Sequence, residues 1–181
     1  MQNYKQSLQI TKLNNSKGFS LIEVIIALTV LVIVGFIGAM LLREGVKTSD
    51  AGKAMLDADS QARNVFMRMS REIPMVLSTN AISDFTQNKF KFTDANGLVV
   101  QYELSNNQLL QSENNGTAQV LAEGIAAPNF GNNKFFTYLK SDGSTEATLK
   151  SDIRYVQVSM TVIHKGTSRD FTTTFYLRNA P

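Results

Sequence analysis

The feature that most constrains this chain is an apolar run from Phe19 to Leu42, in which Ser20, Glu23 and Thr29 are the only polar side chains. At ~1.5 Å of rise per residue, a helix of that length reaches about 36 Å, against about 30 Å of hydrocarbon in a bilayer. The run therefore predicts a membrane-spanning helix. A cleaved secretory signal has a shorter apolar core of about 7 to 15 residues followed by a small-residue cut site, so cleavage behind this run is not expected. The C-terminal half is of another kind, rich in Asn, Gln, Ser and Thr, and 43% apolar residues over 181 positions suits one folded domain plus an anchor.

The formal charge of +3 is not a binding signal. Lys5, Lys12 and Lys17 precede the apolar run with no acid among them, and the remaining basic side chains balance the 15 acidic ones. No basic stripe is left for nucleic acid, and no direct nucleic-acid partner is expected. Lysines just ahead of an apolar run hold that end in the cytoplasm. The prediction is a single pass through an inner membrane, with the N-terminus cytoplasmic and the folded part pointing outward, into a periplasm or across a cell wall.

The absence of cysteine excludes disulfides, thiol nucleophiles and thiolate metal sites. The single histidine, His164, excludes a multi-histidine metal site and reads as an exposed turn residue. Asp142, Glu146 and Asp152 share an oxygen-rich loop but lack the spacing of a calcium loop. No phosphate-cradling glycine loop and no zinc spacing is present. The expectation is no active site, no metal and no cofactor: the protein is not an enzyme.

Glu23 is the anomaly in the run. An ionised acid at the centre of a membrane helix costs of order 2.5–3.5 kcal/mol, and less near the interface. The residues leave two readings open, an interfacial acid on a plain anchor or a carboxylate that needs a positive partner in the membrane. The stretch Lys17-Gly18-Phe19-Ser20-Leu21-Ile22-Glu23 resembles the type III signal of type IV pilins and of type II secretion pseudopilins. The resemblance implies processing by a prepilin peptidase between Gly18 and Phe19, N-methylation of Phe19, and a role for Glu23 in assembly. The new amine of one subunit would then neutralise Glu23 of another in a filament. Gly18 suits this, since a residue without a side chain lets an extended backbone enter a protease cleft.

Beyond Leu42 the apolar positions narrow to a stripe, Val46, Ala51, Met55, Ala58, Ala62, Val65, Met69 and Ile73, at mostly three- and four-residue steps. The helix is expected to continue and bury this stripe against a sheet until Pro74 ends or kinks it. Arg63, Arg68, Arg71 and Glu72 read as a solvated face, and Met55, Met67, Met69 and Met75 as core filler. Strands are predicted from Lys89 to Thr93, Leu98 to Leu104, Gln108 to Gln111, Ala118 to Ala122 and Lys134 to Leu139. The clearest hairpin joins Arg154–His164 to Phe171–Leu177. Tyr102, Tyr138 and Tyr155 read as sheet residues rather than stacking platforms.

The fold class is therefore α+β and pilin-like, a long N-terminal helix packed on a mostly antiparallel sheet domain. Its expected parts are a leader at 1–18, a membrane and assembly helix at 19–42, an amphipathic continuation at 43–77 and a β-rich periplasmic domain at 78–181. The C-terminal part resembles the J-type minor pseudopilins and the PilW-type minor pilins. The carrying residues are Phe92-Thr-Asp-Ala-Asn-Gly97, Val100-Gln-Tyr-Glu-Leu104, Ile153-Arg-Tyr-Val-Gln-Val158 and Phe175-Tyr-Leu-Arg-Asn179. What this resemblance implies is a J-like subunit near a pseudopilus tip, with other pilins or pseudopilins as partners. The alternatives are a PilW-like minor pilin for pilus assembly, adhesion, motility or DNA uptake, and a membrane-tethered periplasmic binding module.

Overall fold

The computed structural model describes residues 18–179, so the segment Met1–Lys17, with its three lysines, lies outside the described residues. One helix, α1, runs from Leu21 to Glu72 and is followed by a short 3-10 turn at Ile73–Met75. Pro74 sits in that turn, where its missing N–H is no loss, and the helix stops just ahead of it. The chain divides into two compact units that meet between Val46 and Lys47.

In the first unit, residues 19–42 are all solvent-facing except Gly38, and the large apolar side chains are widely exposed, Leu31 at 68% and Leu42 at 73%. A helix apolar on every side is stable only when covered, by protein or by lipid, and this one is long and apolar enough to cross a membrane.

The second unit holds two antiparallel sheets. The first is a five-stranded meander of β1 (Ile82–Thr86), β2 (Lys89–Thr93), β3 (Val99–Ser105), β4 (Gln108–Glu113) and β5 (Gln119–Glu123) in chain order. Between β3 and β4 only Asn106 and Asn107 intervene, both at positive φ, the tight turn whose twist matches that of the strands. In the second sheet β8 (Tyr155–His164) is central. β9 (Thr167–Tyr176) lies along the whole of one edge of β8, while β6 (Ile125–Ala126) and β7 (Phe136–Leu139) share the other.

A single core joins the C-terminal part of α1 to both sheets. The helix contributes Ala54, Ala58 and Ala62, small enough to bring the backbone close to the sheet, and then Val65 and Met69, and Ile73 of the 3-10 turn follows them. Phe90 of β2 lies 5.9 Å from Phe136 and 5.5 Å from Tyr138 of β7, ring to ring, so aromatic packing closes one sheet on the other. The Tyr138 hydroxyl donates to the carbonyls of Thr86 and Lys89 across the same junction.

The α+β pilin-like fold class and the long helix are as expected, and the structure adds the division of the strands into two sheets. It also corrects several finer readings. The buried stripe begins at Ala54 and runs on through Ala58 and Ala62, while Val46, Ala51 and Met55 are exposed; Met55 directly follows the buried Ala54 and is turned about 100° round the helix from it, off the covered face. Of the four methionines read as core filler only Met69 is buried; Met55, Met67 and Met75 are 36–45% exposed. Strands β1 and β6 escaped the sequence reading, the first because Ile82-Ser-Asp-Phe-Thr86 pairs with a bulge between Ile82 and Asp84, the second because it has two residues.

Candidate functional site

The head of α1 is built by local chemistry. The Ser20 carbonyl accepts from the N–H groups of Glu23 and Val24, at 3.0 and 3.2 Å, and its hydroxyl oxygen accepts from the Ile22 N–H at 3.2 Å. Ser20 is thus the N-cap, satisfying donors that have no partner inside the helix. Glu23 falls in the first turn, where a negative charge is favoured by the partial positive charge of the helix end. The Ser-x-x-Glu spacing serves a helix start at the same time as it places a carboxylate at the mouth of the apolar run.

Phe19, 81% exposed, and Glu23 border one shallow apolar groove with Ala27 and Leu31. Gly18 stands just outside the helix. A Cβ built on it meets nothing within 4 Å, and its φ is not in the left-handed region, so the fold makes no demand for glycine there. The structure brings Phe19 and Glu23 to one surface and sets Gly18 immediately before them.

Elsewhere the titratable groups serve the fold. Glu72, read from the sequence as solvated, is the hub of a cluster: its carboxylate accepts from Arg68 Nε at 3.0 Å, the Tyr102 hydroxyl at 2.5 Å and Gln111 Nε2 at 2.9 Å. Arg68 also reaches Glu113 at 3.0 Å, so the end of α1 is tied to β3 and β4. Burial, then the bond to Glu72, pushes the Tyr102 phenol far above its ordinary range; burial does the same for Tyr138. Asp142 is drawn down to about 2, first by the Thr145 hydroxyl and then by the N–H groups of Thr145 and Ser144, as a turn cap. Glu146 and Asp152 of the same loop face Lys134 and Lys140 instead, and among the described residues no three His, Cys, Asp or Glu converge to hold a metal.

His164 is half-buried rather than exposed. Its Nε2 lies 3.4 Å from Asp57 on α1 without a hydrogen bond between them, and Arg169 donates to Asp59 at 3.1 Å, so the β8–β9 hairpin is tied to the helix by a pair over a hundred residues apart in sequence. No pattern in the sequence could have revealed Glu72 or these pairs, since each partner comes from a different element.

Residues 13–39 match the prokaryotic N-terminal methylation motif. No curated protein matches the chain. The motif covers Gly18, Phe19, Ser20 and Glu23, and continues well into the membrane-length helix. Together with the α+β pilin-like architecture, it supports a type IV pilin-like or pseudopilin protein, a structural rather than an enzymatic class.

Proposed function

We propose that this chain is a filament subunit made as a prepilin, cut by prepilin peptidase between Gly18 and Phe19, N-methylated on Phe19 and assembled through α1 with other pilins or pseudopilins. The observation that carries the reading is the methylation motif at residues 13–39, sitting at the head of a helix long enough to span the membrane. The open surroundings of Gly18 add to it: the fold does not require glycine there, whereas a protease that must approach the backbone does. The leader is 1–18, the anchor 19–42, and the β-rich domain, 78–181, is periplasmic.

Within this class the finer assignment is a J-like minor pseudopilin acting at or near the tip of a type II secretion pseudopilus, on the resemblance of the β3, β8 and C-terminal segments. In the filament, Glu23 of an incoming subunit meets the methylated amine of a neighbour's Phe19. Two charges that each cost several kcal/mol in lipid then neutralise one another and set the axial register. The test is the intact mass of the membrane protein with and without co-expressed prepilin peptidase. Loss of Met1–Gly18 with one added methyl group is the expected result. An unprocessed mass beside an active peptidase would sink the reading and leave a plain membrane tether.

A further inference from the structure

The C-terminal part of α1 leaves part of the second sheet uncovered. Beside the helix, on the face of β9 that carries Arg169, Phe171, Thr173 and Phe175, lies an open trough of about 470 Å³ whose helix wall includes Phe66 and Met67. Its rim holds two arginines. Arg169 is neutralised by Asp59, whereas among the described residues the Arg63 side chain has no ion pair or hydrogen bond.

The same strand is an unprotected edge. β9 pairs with β8 over ten residues without a bulge, and the N–H of Leu177 donates to the carbonyl of Arg154 in the same register. That bond fixes the alternation: odd-numbered residues of β9 bond to β8, and Ser168, Asp170, Thr172, Thr174 and Tyr176 turn their N–H and C=O groups outward. Among the described residues none of these outward groups has a backbone partner. Edges are ordinarily blunted by shortness, bulges or charge. β1 and β5 have bulged registers, β6 has two residues, and β7 has four, all buried. Thr172–Tyr176 has no charge, proline or bulge, and is built of residues that favour strands.

We propose that β9 is a docking edge for an extended segment of another protein, which adds a strand to the second sheet. Alternate apolar side chains of that segment seat in the trough, and an acidic one meets Arg63. Main-chain bonds supply attachment and the trough supplies selectivity, the usual division in strand addition. Charge decides against a second copy of β9 as occupant. Its trough-facing side chains are Thr167, Arg169, Phe171, Thr173 and Phe175, so it would bring a further arginine and no carboxylate to a rim that already holds an unpaired cation. This inference does not depend on processing of the N-terminus.

The test uses the full-length protein in detergent micelles and two synthetic nonapeptides that alternate threonine with valine, one carrying a glutamate in place of a valine and the other a lysine. The readout is hydrogen exchange at the amides of Ser168, Asp170, Thr172, Thr174 and Tyr176. The glutamate peptide is expected to slow these amides saturably, at a concentration about tenfold lower than the lysine peptide requires. Arg63→Glu, on the helix and outside all strand pairing, should reverse that preference. Thr174→Pro removes only an outward N–H, so it should leave the melting temperature near its original value and abolish protection. Equal binding of the two peptides, protection by neither, or an unchanged preference in Arg63→Glu would overturn the proposal. Protection that grows with protein concentration in the absence of peptide would overturn it too, by assigning the edge to a second copy.

Discussion

At the scale of single residues, the Glu72 cluster and the buried tyrosines carry the sharpest predictions. Glu72→Ala would leave the Tyr102 hydroxyl and the Gln111 amide without an acceptor in a largely buried place, costing about 2–3 kcal/mol of unfolding free energy. Tyr102→Phe leaves Glu72 its other two donors and should cost about 1 kcal/mol; urea unfolding of the two variants in micelles gives the comparison. The pH dependence follows from the same phenols. Their folded pKa values lie above the ordinary 10.0, so the stability they contribute is fully present below about pH 10 and is lost as the pH rises above it. The unfolding midpoint should hold from ~pH 7 to ~pH 9 and fall by roughly pH 11, and the fall should shrink in Tyr138→Phe. Gly124 is the strictest backbone position. At φ +67°, a Cβ there would meet the Ile163 carbonyl oxygen at 2.3 Å, and backbone cannot swing aside. Gly124→Ala should cost about 3 kcal/mol or more, read as a lowered melting temperature.

At the scale of elements, α1 is one helix in two solvents, and its local signals were legible. Pro74 stops it by a rule that acts within a turn, which is why that end was placed from sequence; the start was placed at Phe19 by the apolar run alone, and the Ser20 cap that sets it at Leu21 went unread. The burial of its second half was less legible: three- and four-residue steps leave more than one face open, and only the sheet decides which of them is covered. Met55 and Ala58 share the spacing, yet Met55 is 45% exposed, because the covered face runs from Ala54, one residue earlier, to Ala58. Ala58 therefore predicts a close approach. Ala58→Leu should overpack the contact and destabilise the domain by about 1–3 kcal/mol, whereas Met55→Leu should be nearly neutral by the same denaturant measurement. The β8–β9 hairpin was legible for the opposite reason, since Val156, Val158, Met160 and Val162 alternate and Lys165-Gly166 supplies a tight turn at φ +47° and +79°.

At the scale of the whole molecule, the filament reading predicts that Glu23→Ala will fold, insert and be cut like the parent chain yet fail to enter filaments. Sheared-filament fractions compared with membrane fractions would show it, and normal incorporation would remove Glu23 from the assembly mechanism. The sequence by itself determined the membrane-length helix and the point at which proline stops it, because each of these rests on composition or on spacing within one element; the methylation motif at the helix head and the class of fold were reached through the resemblance to pilins and the order of the elements. The tertiary structure alone decided that the strands divide into two sheets joined by Phe90, Phe136 and Tyr138. It also turned Glu72 from a solvated acid into a hub, set His164 against Asp57, and left β9 with a bare edge above an apolar trough. Each of these depends on which residues far apart in the chain become neighbours, and periodicity along one strand or helix carries no information about what lies across from it.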